Sequence, residues 1–150
     1  MPFIIDTDAL IHIRNRPNAQ EVYSRLIPLC QSSEIVTVSQ VFDEMKRWPD
    51  IWELFRPHRK SMKVNQYHPD VLTLVGYISD SFESLYDLTG VKNPDPADPW
   101  LIACAKIFDY TLVTDERVNS TKKIPYVCRQ QSILVPCING NAMLQEIGIL

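Results

Sequence analysis

The chain has 150 residues, with 15 Lys and Arg against 18 Asp and Glu, a formal net charge of −3. That length suits one domain, residues 1–150, with a proper core, and the acidic balance argues against a broad basic nucleic-acid surface. No apolar run approaches the ~20 residues of a membrane span, and the start lacks the charged, apolar and small-residue succession of a signal peptide.

Phe3-Ile4-Ile5 runs straight into Asp6-Thr7-Asp8. A continuous apolar run reads as a strand covered on both faces, as in a parallel sheet, and ligands bind beyond the carboxyl ends of such strands. Taken singly, Asp6 and Asp8 are ordinary turn or cap residues, with Thr7-Asp8 turning into Ala9-Leu10-Ile11. A break at Arg14–Asn18 precedes a helix expected from Ala19 to Cys30, carrying Val22, Leu26, Ile27 and Leu29 on its apolar face. Ile35-Val36-Thr37-Val38 is β-branched throughout and reads as a second strand. Strand, helix, strand is the βαβ unit of a parallel sheet.

Ser39 is expected to cap a helix from Gln40 to Trp48 that Pro49 stops. Val41, Phe42, Met45 and Trp48 form its buried stripe. Glu44 lies at the edge of that stripe and can turn inward, whereas Asp43 faces solvent and Lys46. Ile51–Lys63 reads as a short helix followed by a basic loop, with Trp48 and Trp52 as core anchors. Its Arg56, Arg59, Lys60 and Lys63 form either a solvated face or a contact for RNA phosphates. His68-Pro69 opens a long helix with proline in its first turn. Val71, Val75, Ile78, Phe82 and Leu85 give it a core stripe, and Gly90 is its expected end.

In the run from Asn93 to Ala105, Pro94 and Pro96 stiffen the approach, Asp98 takes the cap position and Pro99 the first helical one. Ala103-Cys104-Ala105 allow close packing on the sheet. Leu112-Val113-Thr114 reads as a third strand leading into Asp115-Glu116, Ile124–Cys128 as a connecting element, Ile133-Leu134-Val135 as a fourth strand, and Asn141–Ile147 as a terminal helix. Cys30, Cys104, Cys128 and Cys137 show no CxxC spacing and are expected to be reduced thiols in a cytoplasmic protein.

The acids fall into sets that such a sheet can bring together: Asp6, Asp43-Glu44, Asp95 with Asp98, and Asp115-Glu116. Hard divalent cations take oxygen ligands, and magnesium is commonly held by a few carboxylates with water or phosphate completing the sphere. Unneutralised carboxylates in one cleft repel each other and take up protons. A cation removes that conflict and, in phosphodiester hydrolysis, activates water and steadies the phosphate.

Four elements in order, Ile5-Asp6-Thr7, Glu44, Asp98 opening an apolar helix, and Val113-Thr114-Asp115-Glu116, make the chain resemble the PIN-domain nucleases, which include the bacterial and archaeal VapC-type toxins. The Ala97-Asp98-Pro99-Trp100-Leu101-Ile102-Ala103 run is similar to a PIN-related subfamily. The resemblance spans most of the chain. It implies an α/β fold, a three-layer α/β/α sandwich with a central parallel sheet. It also implies an endoribonuclease dependent on Mg2+ or Mn2+, acting on RNA, with a cognate antitoxin protein and a homodimer as the partners of the toxin members.

The carried-over catalytic acids are Asp6, Glu44, Asp98 and Glu116, with Asp115 added as a metal ligand and Thr7 and Thr114 as supporting residues. The family often has Thr-x-Asp where this chain has Thr114-Asp115-Glu116. Alternation along an extended backbone puts Glu116 on the side of Thr114, so Glu116 is the expected ligand, with Asp115 the alternative. Two other readings stand beside this one. Asp6-Thr7-Asp8 is similar to the start of haloacid-dehalogenase-type phosphatases, in which the first Asp is a nucleophile. The third is a PIN-like module that binds RNA or protein without cutting.

Overall fold

The structure, a computed structural model, describes residues 2–82, 85 and 95–150. Among these, strands β1 (Phe3–Ile5), β2 (Ile35–Val36), β3 (Thr111–Val113) and β4 (Cys137–Ile138) pair in the order β2-β1-β3-β4, every pairing parallel. Ile4 lies opposite Val36 on one side and Leu112 on the other. All residues of β1 and β3 are buried, as expected of strands covered on both faces.

Helices α1 (Thr7–Arg14) and α2 (Ala19–Gln31) connect β1 to β2. Between β2 and β3 come α3 (Ser39–Met45), α4 (Pro49–Phe55), a 3-10 turn at Arg56–His58, α5 (Arg59–Met62), α6 (Pro69–Ser81) and α7 (Ala97–Phe108). Helix α8 (Ile124–Arg129) precedes β4, and α9 (Gly140–Glu146) follows it. Helix α1 packs on α2 and α9, while α7 packs on α6, α8 and the central strands. Right-handed crossovers that leave β1 and β3 in opposite directions put their helices on opposite faces of the sheet. The fold is a three-layer α/β/α sandwich around a parallel sheet.

That strand order also locates a crevice. From β1 the chain goes outward to β2, and from β3 it goes outward the other way to β4. The carboxyl ends of β1 and β3 therefore flank the topological switch point, where open parallel sheets bind ligands. Asp6 follows β1 and Thr114-Asp115-Glu116 follows β3.

Several local expectations are corrected. Thr7-Asp8 is the first turn of a helix rather than a free turn, while Asp6 is its N-cap, one of the two roles expected for it. The second strand pairs regularly only at Ile35–Val36; Thr37 then bridges to Lys63, and Val38 is the N-cap of α3. Ser39 is the first helical residue, and its backbone N–H donates to Gln66 Oε1 at 2.7 Å. Helix α3 stops at Met45, because Trp48 is already the N-cap of α4 with Pro49 at its first position. The basic stretch is helical through Met62 rather than a loop.

Helix α6 ends at Ser81, and the expected end at Gly90 lies outside the described residues. Pro96, extended at φ −67° and ψ 153°, is the N-cap of α7, so Asp98 is the second helical residue and Pro99 the third. A proline there costs no helical bond, since the first four amides of a helix lack intrahelical acceptors. Ile133–Val135 is not a strand. Leu134 has φ 51° and is 60% exposed, the Ile133 and Leu134 amides donate to Gln130 O, and Val135 N–H donates to Cys128 O. Pro136 has no N–H to give to a ladder, and regular pairing with β3 starts at Cys137.

The four cysteines are free, with Cys30, Cys104 and Cys128 buried. No described helix is long and apolar enough to cross a membrane.

Candidate metal centre

Asp6 leaves the end of β1 and is 4% exposed. Its Oδ1 accepts the Thr7 amide at 2.7 Å and its Oδ2 accepts the Thr114 hydroxyl at 2.9 Å. The carboxylate is thereby fixed between the strand that carries it and the end of β3, its neighbour. Thr114 Oγ1 also accepts the Glu116 N–H at 3.2 Å, which turns the backbone so that Glu116 faces the crevice. Glu116 Oε2 in turn accepts the Ile124 N–H at 3.0 Å, at the start of α8.

Carboxylate oxygens of Asp6, Asp8 and Glu116 all lie within 4.8 Å of one another. Asp8 reaches this position because α1 starts at Thr7, placing it in the first turn. On the other side, the Thr7 hydroxyl donates to Glu44 Oε2 at 2.7 Å, tying α3 to the start of α1. Asp98 contributes from the first turn of α7. Acids in the first turn of a helix are favoured by the helix dipole, and Asp8 and Asp98 both have that placement.

The dipoles do not offset the crowding. Burial, then the charges of Asp98, Glu116, Asp8 and Glu44, holds the Asp6 carboxyl well above its usual range. Asp98 is likewise raised, by burial and then by Glu116 and Glu44. Burial is also the leading cause of the upward shifts at Glu116 and Glu44. Two cations act against the trend: Lys123 lowers Asp98 and Glu116, and Arg47 lowers Glu44.

Asp115 turns elsewhere. Its Oδ1 accepts the Gly140 N–H at 3.3 Å at the start of α9, and its Oδ2 lies 4.0 Å from His12 Nδ1. That Oδ2 is buried without a hydrogen-bond partner among the described residues. A Cβ on Gly140 would stand 3.1 Å from it, so glycine permits the close approach of α9. Asp95 also stays out of the cluster, its two oxygens accepting Gln40 Nε2 at 2.9 Å and Trp100 Nε1 at 2.8 Å.

Residues 3–149 match a family described as a domain of unknown function, DUF4411. The chain belongs to the DUF4411 family. No curated protein matches it. Of the expected site acids, this DUF4411 chain brings Asp6 and Glu116 into the tight group, links Glu44 to it through Thr7, and keeps Asp98 within electrostatic reach.

Asp43 pairs with Lys46 at 3.3 Å and stands outside the tight group of acids. Arg56 pairs with Glu53, and Arg59 lies over the Phe42 ring. Their segment packs beside β2, the edge strand, one strand removed from the crevice. Three residues were missed from sequence: Asp8 in the tight group, and the cations Arg47 and Lys123. Asp6-Thr7-Asp8 carried a signal for Asp8, since a helix starting at Thr7 puts the acid in its first turn. Nothing local marked Arg47 or Lys123.

Proposed function

We propose that the chain is a divalent-metal-dependent endoribonuclease that hydrolyses RNA phosphodiester bonds in the crevice between β1 and β3. The observation that carries the reading is the convergence of Asp6, Asp8 and Glu116, backed by Glu44 and Asp98, at the switch point of a parallel sheet. The resemblance to PIN-domain nucleases supports the same reading. The donor set fits Mg2+ or Mn2+, since it is all carboxylate and contains no thiolate or imidazole. The raised carboxyls support it too, because a cluster that repels itself gains most from a cation.

Asp6, Asp8 and Glu116 would hold the ion, with Glu44 and Asp98 completing the acidic wall. A bound ion of this kind supplies positive charge toward the phosphate oxygens and makes water a better nucleophile. The rest falls to the chain. The Thr114 hydroxyl holds Asp6, and the Thr7 hydroxyl holds Glu44, each by a bond of 2.9 Å or less. Burial around Asp6 keeps bulk water from competing for its oxygens. Arg47 and Lys123 offer positive charge beside the acids, where an RNA phosphate would otherwise meet only repulsion. RNA is the proposed substrate, a cytoplasmic toxin of a toxin–antitoxin pair the proposed setting, and a homodimer the proposed assembly.

The test is cleavage of single-stranded RNA with and without Mg2+ or Mn2+, comparing wild type with Asp98→Asn. Metal-dependent cutting that the variant lacks supports the assignment. Cutting by Asp98→Asn at the wild-type rate overturns the site, and a phosphorylated Asp6 replaces the nuclease reading with the phosphatase one.

A further inference from the structure

Next to Glu44 the surface opens into a cavity of about 390 Å³, whose walls include Gln40, Asp43, Glu44, Arg47, Tyr67 and Asp95. Glu44 belongs at once to this cavity and, through Thr7, to the acid cluster. The two are neighbouring compartments of one cleft. The size is within the ~300–1,000 Å³ typical of small-ligand pockets.

The floor is a chain of fixed amides. Ser39 N–H donates to Gln66 Oε1 at 2.7 Å, Gln66 Nε2 to Gln40 Oε1 at 2.9 Å, and Gln40 Nε2 to Asp95 Oδ2 at 2.9 Å. Gln66 is 2% exposed and Gln40 9% exposed, so both amides are held in orientation by bonds that leave little room to rotate. The second N–H of Gln40 and Oδ2 of Asp43, whose Oδ1 pairs with Lys46, remain to be read by a planar polar ligand.

The wall is aromatic. Tyr67 stands in a tight turn closed by His68 N–H to Asn65 O, and it is 59% exposed. The ring packs against Trp100 in a T-shaped pair, with centroids 5.7 Å apart at 66°, and Trp100 is itself held by Asp95. An exposed ring that is braced from behind loses little freedom when a second ring stacks on it. On the side of Glu44 stands Arg47, a cation suited to the phosphate attached to that ring.

We infer that this cavity is a nucleobase subsite, in which Tyr67 stacks on one unpaired base of a single-stranded RNA while Arg47 contacts the adjoining phosphate and the neighbouring phosphodiester enters the acid cleft. The subsite rests on the reading of that cleft as the place of cutting. It narrows the substrate class to single strands, because a base paired within a helix cannot splay into the cavity. Selection among bases would come from Gln40 and Asp43 at the floor and rim, and stacking from Tyr67 would tolerate any base.

The experiment measures binding rather than cutting. Labelled hexaadenylate and the same backbone made fully abasic are titrated by fluorescence anisotropy into wild type, Tyr67→Ala and Tyr67→Phe, in buffer containing calcium, with intact RNA verified on gels. Tyr67→Ala is expected to weaken hexaadenylate binding about tenfold. Tyr67→Phe, which keeps the ring, is expected to restore it to within about twofold, and the abasic strand to bind all three proteins alike. Wild-type affinity in Tyr67→Ala overturns the subsite, as does an equal loss with the abasic strand or an equal loss in Tyr67→Phe. Should these base-dependent differences hold while no metal supports cutting, the subsite stands and the nuclease reading falls. RNA cut by Tyr67→Ala with wild-type KM has the reverse meaning: the cleft cuts, and the subsite falls.

Discussion

The acid crevice and the basic arm at residues 56–63 treat charge in opposite ways. In the crevice, Asp6 is buried and surrounded by other acids, while the cations Lys123 and Arg47 act on its neighbours Asp98, Glu116 and Glu44. On the arm, Arg56 finds Glu53 within its own helical turn and Arg59 rests on Phe42. Its charged side chains lie at the surface, and Met62 is the buried residue of α5. Exposed charges paired locally contribute little and need no partner. Buried like charges cost stability until something neutralises them. Charge density alone would have drawn attention to the arm, whereas burial points to the crevice.

The sharpest way to break this contrast is to remove one buried acid. Asp6→Asn and Asp98→Asn should each lower RNA cleavage by at least about a hundredfold while the fold persists. Losing a group that only orients a metal ligand already costs about 10–100-fold. Cleavage by gel assay, with circular dichroism as the check on folding, tests this. A folded Asp6→Asn protein cutting at the wild-type rate removes the crevice from consideration.

The two acids after β3 offer a finer test. Glu116 shares the tight group with Asp6 and Asp8, while Asp115 is engaged by α9. Glu116→Gln should therefore cost about a hundredfold in cleavage at saturating Mn2+, and Asp115→Asn about tenfold or less. The opposite ranking would make Asp115 the ligand and Glu116 a brace for α8.

Stability should respond in the same region, by a smaller amount. A carboxyl whose folded pKa lies above its unfolded value binds more protons in the native state. Its stabilising contribution is present below the unfolded value, about 4, and is lost as pH rises through the folded one. Asp6, Asp98, Glu44 and Glu116 all have that sign. Without metal, these four groups should make the protein more stable at mildly acidic than at neutral pH, and Asp98→Asn should flatten the dependence. With Mn2+ at a hundred times its Kd, stability at neutral pH should rise by about 2.7 kcal/mol. That gain should fade as acid competes for the ligands. Thermal melts across pH, with Mn2+ and with chelator, read both slopes.

Much of this region was legible in sequence, and the reasons are local. Phe3-Ile4-Ile5 and Leu112-Val113 are apolar runs ended by acids, so strand identity and the place of Asp6 followed from pattern, whereas Glu116 was preferred to Asp115 on alternation and on the spacing of the family the chain resembles. Glu44 followed from helical spacing, and the Thr7 hydroxyl donates to it. Most of the misses were decided by neighbours. Ile133-Leu134-Val135 has strand composition, but its amides bond back to Gln130 and Cys128. Ser39 has cap chemistry, yet Gln66, 27 residues on, supplies the capping oxygen. Asp98 looked like a cap, while the geometry of Pro96 starts the helix two residues earlier. Arg47 and Lys123 become visible only once α3 and the approach to α8 converge on the acids.

The smallest effect is expected on the arm itself. Its segment packs beside β2, with the whole of β1 between it and the crevice, and its Lys60 side chain is exposed. A surface charge of this kind changes stability by no more than about 0.5 kcal/mol when removed. Lys60→Ala should accordingly leave the melting temperature near wild type and the KM for a short RNA within about twofold. Salt sensitivity is the more searching measurement, because each phosphate contact on a single strand steepens the slope of log affinity against log salt by about 0.7. An unchanged slope in Lys60→Ala confines the RNA to the crevice and the cavity beside Glu44. A slope shallower by that amount would carry the strand outward over β2, and the arm would then share with Arg47 the task of holding phosphates.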